Sequence, residues 1–211
     1  MWKTVLFDLD GTLTDSAPGI TNSAARALAY FGIEEKAEDL LRFIGPPLNE
    51  SLSEYYGFTP EQTAKTVEVF REYFVEKGWL ENAPYPGIPE LLRDLKAGGL
   101  QLMVATSKPE VQAVRILKHF GLVEYFTRVC GAPAGNEDGG RKADVVRRAL
   151  QFSELSSTVM VGDRKYDVLG AQENGIPCIG VLYGYGSREE LSAAGASFIA
   201  ENLEALKNLL L

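Results

Sequence analysis

Several residue types on which enzymes often rely are scarce in this chain of 211 residues. Histidine occurs once, as His119, so a metal site built from several histidines is excluded. His119 stands late in a predicted helix that Gly121 ends, where a positive charge is favourable, and this explains it without a catalytic role. Cysteine occurs twice, as Cys130 and Cys178, both in apolar stretches. This usage indicates two buried reduced thiols rather than a disulfide framework.

Positive charge and long apolar runs are scarce as well. The chain has 29 acidic and 21 basic residues, a formal net charge of -8, and no run of lysine and arginine long enough to suggest a nucleic-acid site. We therefore expect no nucleic-acid partner. No stretch approaches the roughly 18 apolar residues that a membrane-spanning helix needs, and the N-terminus lacks the layout of a signal peptide. We expect a cytoplasmic protein that binds no membrane and is a monomer or a weak homodimer.

Short apolar runs alternate with helical patterns along most of the chain, which predicts an α/β fold. The predicted strands cover residues 5–7, 100–105, 128–130, 158–161, 177–182 and 197–199. From the second strand onward helical segments separate them, as is typical of a Rossmann-like parallel sheet with helices on both faces. A glycine-rich polar segment, residues 135–140, is predicted to be a flexible loop.

A helical insert interrupts the strand pattern. Residues 17–83 show no strand-like alternation, and Thr59–Gln62 contains a capping box with a first-turn proline. The Pro-Tyr-Pro-Gly segment, residues 84–87, is the predicted return to the sheet. We therefore expect a core made of residues 1–16 and 84–211 and an all-helical cap domain made of residues 17–83.

Two carboxylates follow the first predicted strand directly. Asp8 and Asp10 lie one residue apart in Asp8-Leu9-Asp10-Gly11-Thr12-Leu13. One of them can act as nucleophile and metal ligand, and the other as general acid and base. Aspartate and glycine are also common in polar turns, so the pair of carboxylates alone would be weak evidence. The full string is much more specific than that.

Two further polar motifs follow later strands. Asp163 and Asp167 come after the fourth predicted strand and would lie about one helical turn apart if a helix starts there. A helix cap would explain Asp163 alone, but not the pair beside a glycine. Thr106 and Ser107 follow the second strand, where a hydroxyl can donate to a phosphate oxygen. Taken alone, this motif is more typical of an N-cap before Pro109.

The three motifs become informative together. Ligands of open parallel sheets bind at the carboxyl ends of the strands, so we expect all three motifs at one place. Four carboxylates brought together there would repel one another and raise one another's pKa. A divalent cation relieves that repulsion, and oxygen ligands without histidine or thiol favour Mg2+. A phosphate beside the cation would complete the charge balance.

A family resemblance follows from these residues. Asp8-x-Asp10-Gly11-Thr12-Leu13, followed by Gly162-Asp163-x-x-x-Asp167, resembles the haloacid dehalogenase superfamily of phosphatases over essentially the whole chain. The helical insert is similar in position and length to that superfamily's first cap type. The branch that the chain resembles is phosphoglycolate phosphatase-like and includes nucleotidase-like relatives. The resemblance implies a Mg2+-dependent phosphatase that hydrolyses a small phosphorylated metabolite, such as phosphoglycolate, a nucleotide or a sugar phosphate, through an aspartyl-phosphate intermediate.

The resemblance also implies a role for each motif residue. Asp8 would attack phosphorus, and Asp10 would protonate the leaving oxygen and then activate the water that hydrolyses the intermediate. Asp8, Asp163 and the backbone carbonyl of Asp10 would bind Mg2+, and Asp167 would support the metal directly or through water. Thr106 would hydrogen-bond the phosphoryl group.

A lysine near the phosphate is implied too, and Lys142 at a predicted helix start is the main candidate. Relatives usually have proline after this lysine, whereas this chain has Ala143, so Arg141 and Lys108 stay open as alternatives. The expected substrate-binding residues come from the second strand end, the cap and the Asp163 motif: Ser107, Gly45, Pro46 and Arg164.

Three other activities share part of this pattern. A phosphomutase uses the same aspartyl-phosphate chemistry but should hold a second phosphate, for which the apolar segment 43–48 offers little positive charge. A receiver-like signalling module needs neither a large cap nor Asp10 as an acid. A dehalogenase needs neither Mg2+ nor a proton for its leaving group, so Asp10 argues against it.

Overall fold

The computed structural model describes residues 1–133 and 140–211 of the chain. Its strands are β1 (Thr4–Phe7), β2 (Thr14–Asp15), β3 (Ala83–Pro84), β4 (Gln101–Pro109), β5 (Arg128–Ala132), β6 (Thr158–Gly162), β7 (Cys178–Val181) and β8 (Phe198–Ala200). Its α-helices are α1 (Ala17–Ala29), α2 (Leu48–Tyr56), α3 (Pro60–Glu76), α4 (Ile88–Ala97), α5 (Glu110–His119), α6 (Lys142–Ala149), α7 (Lys165–Glu173), α8 (Arg188–Ala193) and α9 (Leu203–Leu210). Of the loop predicted over residues 135–140, all but Gly140 lies outside the described residues.

The predicted parallel sheet is confirmed. Six strands pair in the order β5-β4-β1-β6-β7-β8, and every neighbouring pair is parallel. β1 lies between β4 and β6, so the order of the strands along the sheet reverses direction beside β1. The crevice at such a reversal is where open α/β sheets bind their ligands.

The sheet is buried on both faces, as the continuous apolar runs of its strands require. Side chains alternate along β1, so Val5 and Phe7 belong to one buried cluster and Leu6 belongs to another. Helices α4, α5 and α9 cover the first face, and α6, α7 and α8 cover the second. Cys130 and Cys178 are buried free thiols in the second cluster, which confirms the interpretation of the two cysteines.

The predicted helical insert is also confirmed, with α1, α2 and α3 placed between β1 and β4. Its two connections to the core run side by side, because β2 and β3 pair antiparallel, with Thr14 opposite Pro84 and Asp15 opposite Ala83. The capping box at Thr59 is present as predicted. The buried side chains of the insert join the apolar cluster on the first face of the sheet.

Two local predictions need correction. The helix after β4 begins at Glu110 rather than at Lys108–Pro109, because β4 continues as far as Pro109. The sequence pattern predicts Val111, Val114 and Leu117 on one apolar face of that helix. Leu117 is buried there together with Ala113 and Ile116, but Val111 is 73% exposed. Among the described residues, no helix has both the length and the apolar character that crossing a membrane requires.

Candidate active site

The carboxyl ends of three adjacent strands bring the predicted motifs together. Asp8 follows β1 directly, Thr106 lies near the end of β4, and Asp163 follows the last residue of β6. Asp8, Asp163 and Asp167 are all buried, and each offers a carboxylate oxygen within 4.8 Å of the other two. α7 begins at Lys165, so its first turn carries Asp167 back towards Asp163.

Lys142, the first residue of α6, lies inside this carboxylate cluster. Its Nζ is 2.7 Å from Oδ1 of Asp8 and 2.8 Å from Oδ1 of Asp167. It also donates a hydrogen bond of 3.2 Å to the carbonyl of Ala105. The Lys142 residue is 5% exposed, so water contributes little to neutralising any member of the cluster.

Burial dominates the electrostatics of the cluster. Burial raises the pKa of Asp8 to about 6, although the Lys142 ammonium opposes the rise. Burial, together with the carboxylates of Asp167 and Asp8, raises the pKa of Asp163 well above its ordinary value. Burial would lower the pKa of Lys142, but the same two neighbours, Asp167 and Asp8, outweigh it and raise that pKa.

The three candidate lysine and arginine residues occupy different places. Lys142 contacts Asp8, whereas Lys108 pairs with Asp10 through an Nζ to Oδ2 distance of 2.8 Å. Arg141 points away from both carboxylates and pairs with Glu173 at 3.2 Å on the surface. The sequence alone did not decide which of these three residues supplies the positive charge near the phosphate. The structure places two of them beside the two carboxylates of the first motif.

The residues of the cluster fit a hard divalent cation. Three buried carboxylates face one buried ammonium, so the cluster has an excess of negative charge. Its donors are all oxygen atoms, which Mg2+ prefers. The side chain of Asp10 lies outside this group and faces Lys108. The predicted contribution of the Asp10 backbone carbonyl to the metal stays a prediction.

Asp163 is held by Thr12, a member of the first motif to which the sequence assigned no role, and by Tyr185, which lies outside the motifs. Oδ1 of Asp163 accepts a hydrogen bond of 3.1 Å from the Thr12 hydroxyl, and Oδ2 accepts one of 2.9 Å from the backbone N–H of Tyr185. The backbone approaches very closely here, because a Cβ on Gly11 would lie 2.3 Å from Oδ2 of Asp163 and one on Gly184 would lie 2.4 Å from its Cβ. Tyr185 lies in the loop after the fifth predicted strand, and the only sequence signal for this loop was its Gly-Tyr-Gly sequence.

Two buried oxygen atoms near Asp8 have no hydrogen-bond partner among the described residues: Oδ1 of Asp10 and Oγ of Ser107. Buried polar atoms are almost always paired, so an unpaired one at a cavity marks a place for a ligand. Thr106 Oγ1 accepts a hydrogen bond of 3.3 Å from the N–H of Lys108. Because β4 continues to Pro109, Thr106 is not the helix N-cap that it resembled in the sequence.

A cavity of about 360 Å3 lies between this cluster and the insert. Its floor includes Asp8, Asp10 and Thr106, and its roof includes Gly45 and Pro46. The structure therefore places these two residues of the insert in the same cavity as Asp8 and Asp10, and their predicted role in substrate binding stays a prediction.

Arg164 is placed differently from the expectation. It is absent from the described residues that line the cavity, and its guanidinium contacts Oε1 of Glu190 at 2.9 Å and the carbonyl of Ile44. Glu190 therefore forms only half of a capping box with Ser187, the N-cap residue of α8. Its backbone N–H binds the Ser187 hydroxyl, but its carboxylate binds Arg164 and the N–H of Lys165. Arg164 connects the core to the insert.

His119 is absent from the described residues that line the cavity. It is the last residue of α5, and its ring contacts that of Trp79 in the insert, with centroids 5.2 Å apart. The position at the helix C-terminus is the one that the sequence indicated.

Comparisons with known proteins agree with this arrangement. A family model for haloacid dehalogenase-like hydrolases matches residues 5–181. A 5'-nucleotidase of Pseudomonas aeruginosa is 43% identical, with 99% of this chain and 96% of that protein covered. The tyrosine-protein kinase PtkA of Mycobacterium tuberculosis is 38% identical over 98% of this chain and 72% of its own. A phosphoglycolate phosphatase of Vibrio parahaemolyticus is 30% identical, with 97% and 94% covered.

A solved structure shows the same fold at similar identity. The crystal structure of a predicted phosphatase from Clostridium acetobutylicum superposes with a TM-score of 0.96 at 45% identity. The match covers 100% of this chain and 98% of that one, so it includes the helical insert as well as the sheet.

Proposed function

The chain belongs to the haloacid dehalogenase-like hydrolases and is a phosphatase of that family, and we propose that it hydrolyses a small phosphate monoester in a Mg2+-dependent reaction through a phospho-Asp8 intermediate. The observation that carries this proposal is the buried cluster of Asp8, Asp163, Asp167 and Lys142 at the point where the strand order reverses.

The two carboxylates of the first motif divide the chemistry between them. An oxygen of Asp8 attacks phosphorus, and the bond from phosphorus to the leaving oxygen breaks as the acyl-phosphate bond between Asp8 and phosphorus forms. Asp10 donates a proton to the departing oxygen. The resulting Asp10 carboxylate then takes a proton from a water molecule, which attacks phospho-Asp8 and releases phosphate. Asp10 lines the same cavity as Asp8 and has one unpaired oxygen, so it can perform both transfers.

The remaining residues of the site position the phosphoryl group. Mg2+ held by Asp8, Asp163 and Asp167 would offset the negative charge of the phosphoryl oxygens during transfer. Lys142 holds the Asp8 carboxylate in place and adds a positive charge beside it. The hydroxyls of Thr106 and Ser107 face the cavity and can donate to phosphoryl oxygens.

The helical insert supplies the other wall. We infer that residues 17–83 act as the cap and that residues 1–16 and 84–211 form the core, because β2 and β3 mark the two crossings between them. Gly45 and Pro46 would close over the substrate and exclude water, which strengthens electrostatic contacts inside the site. The names of the relatives suggest two leaving groups, a nucleoside and glycolate.

The decisive experiment measures inorganic phosphate released from a panel of phosphate monoesters with Mg2+ present. We expect release that stops with a chelator, resumes when Mg2+ is restored, and is lost in Asp8→Asn, because an amide lacks the nucleophilic oxygen anion. Asp144→Asn is the matched control, since Asp144 is a half-buried residue that pairs with Arg147 away from the cavity. Turnover in a folded, metal-free Asp8→Asn sample would overturn the mechanism. Transfer to an acceptor without free phosphate would indicate a phosphomutase instead.

A further inference from the structure

We propose that the leaving group of the substrate carries an uncharged aromatic ring, which packs against the phenylalanine side chains of the insert. This inference rests on the proposed phosphatase function and specifies its substrate class. It concerns the part of the cavity away from Asp8, which the phosphoryl group does not fill.

The cavity has two chemically different walls. Most of its polar lining comes from the core and surrounds Asp8 and Asp10. The wall supplied by the insert is apolar over nearly its whole extent. Its members include Ile20, Phe43, Leu48, Val67, Phe70 and Phe74. A leaving group that extends from phosphorus towards the insert therefore meets carbon atoms.

The charged groups near this wall have contacts of their own. Arg71 is the one charged side chain that the insert contributes to the described lining, and it takes part in an interaction within the protein. Lys108 lies between the walls, but its ammonium is 2.8 Å from Asp10 and 4.7 Å from the centre of the Phe74 ring. A carboxylate on the leaving group would have to compete for these groups or lose its hydration unpaired, which is costly.

A sugar leaving group fits the insert wall poorly for a related reason. Its hydroxyls would be taken out of water against Phe43, Val67 and Phe70, which offer no hydrogen-bond partner. Each unpaired hydroxyl lowers affinity. An uncharged aromatic ring without polar substituents gives up no hydrogen bond to water when it enters the same space.

The geometry of the phenylalanines favours a flat ring. Phe70 and Phe74 lie nearly parallel, with an angle of 14° between their planes and centroids 5.8 Å apart. Aromatic pairs gain energy beyond the area that they bury. Pro46 and Pro47 border the same space, and proline fixes the backbone there. The cavity volume of about 360 Å3 lies within the range of about 300–1,000 Å3 that is typical of small-molecule sites, so a single ring and a phosphate fit inside.

The test compares kcat/KM for benzyl phosphate, ethyl phosphate and 2-phosphoglycolate. Benzyl alcohol and ethanol have similar basicity, so their departure is almost equally difficult. A preference for benzyl phosphate over ethyl phosphate therefore cannot come from leaving-group chemistry. We expect benzyl phosphate to exceed each of the others by about 10- to 100-fold, the gain from burying one apolar ring.

Phe70→Ala should remove most of that preference and lower the ratio of benzyl to ethyl kcat/KM by about 10-fold. Phe70→Leu keeps an apolar side chain and should lower the ratio less, which guards against a variant that fails to fold. Phe58→Ala is the matched control, because Phe58 is another half-buried phenylalanine of the insert that is absent from the described cavity lining. It should leave the ratio unchanged.

Two results would overturn the inference. One is a preference for 2-phosphoglycolate that Arg71→Met abolishes, which would show that the insert recognises an anion. The other is equal kcat/KM for benzyl and ethyl phosphate, with Phe70→Ala and Phe58→Ala indistinguishable. Both results still require phosphate release that depends on Asp8. If no ester releases phosphate in an Asp8-dependent way, the proposed function itself fails, so the two failures are distinguishable.

Discussion

Replacing Lys142 by methionine tests whether the buried ammonium neutralises the carboxylate cluster. Methionine nearly preserves the length of the side chain and removes its charge. The Nζ of Lys142 lies within 2.8 Å of both Asp8 and Asp167, and all three side chains are almost fully buried. Removing one partner from a buried ion pair typically destabilises a protein by about 3–5 kcal/mol, because the remaining charge is left uncompensated. We expect Lys142→Met to lower the free energy of unfolding of the metal-free protein by that amount.

The measurement is thermal unfolding in a chelator and in excess Mg2+. For a chain of this length, 1 kcal/mol shifts Tm by about 2–4 °C, so Lys142→Met should lower Tm by about 6–20 °C without metal. The proposed Mg2+ would supply positive charge to the same carboxylates, so the loss of stability should be smaller when Mg2+ is present. Arg141→Met is the matched control. Arg141 is the neighbouring residue, but its pair with Glu173 is largely exposed and should contribute less than about 1 kcal/mol.

Equal Tm values for Lys142→Met and Arg141→Met in the chelator would refute this account of the cluster. If Lys142→Met lowers Tm by the same amount with and without Mg2+, the assignment of the metal to the same carboxylates is refuted. The second result would leave the electrostatic role of Lys142 intact, so the experiment separates the two claims.

Two further predictions concern groups beside the cluster. Asp10→Asn should slow hydrolysis by roughly 10²–10⁴-fold, the usual contribution of a general acid and base. The rate of single-turnover phosphorylation by an ester with an excellent leaving group should fall less, because that leaving group needs less protonation. An equal fall in rate for good and poor leaving groups would argue against Asp10 as the acid. Tyr185→Phe should destabilise the protein by about 1–3 kcal/mol in urea unfolding, because its hydroxyl accepts from the N–H groups of Ser16 and Ala17 and donates to Asp15. An unchanged midpoint and slope would show that these contacts contribute nothing to stability.

The strands and the position of the site could be predicted from the sequence for a simple reason. A parallel sheet that is buried on both faces needs continuous apolar runs, and these runs are visible in the sequence. Polar residues directly after such runs must lie at one edge of the sheet. Asp8, Thr106 and Asp163 come together for this reason, and their meeting required no knowledge of how the helices pack.

The contacts of the charged side chains could not be predicted in this way. Arg164 meets Glu190, which is 26 residues away in the sequence, and Ile44, which is 120 residues away. No periodicity encodes such contacts, because they depend on how the insert packs against the core. Lys108 contacts Asp10 because β4 runs on to Pro109, an extension that the apolar run ending at residue 105 did not indicate.

These long-range contacts couple the position of the insert to the carboxylate cluster. The backbone N–H of Tyr185 binds Asp163, while its hydroxyl binds the N–H groups that begin α1, the first helix of the insert. Arg164 follows Asp163 in the chain, and its guanidinium binds the carbonyl of Ile44, directly before the Gly45 loop. A shift of the insert would therefore displace Tyr185, which binds Asp163, and Arg164, which follows Asp163 in the chain. Because closely packed residues transmit such shifts, a movement of the insert can affect the geometry of the carboxylate cluster.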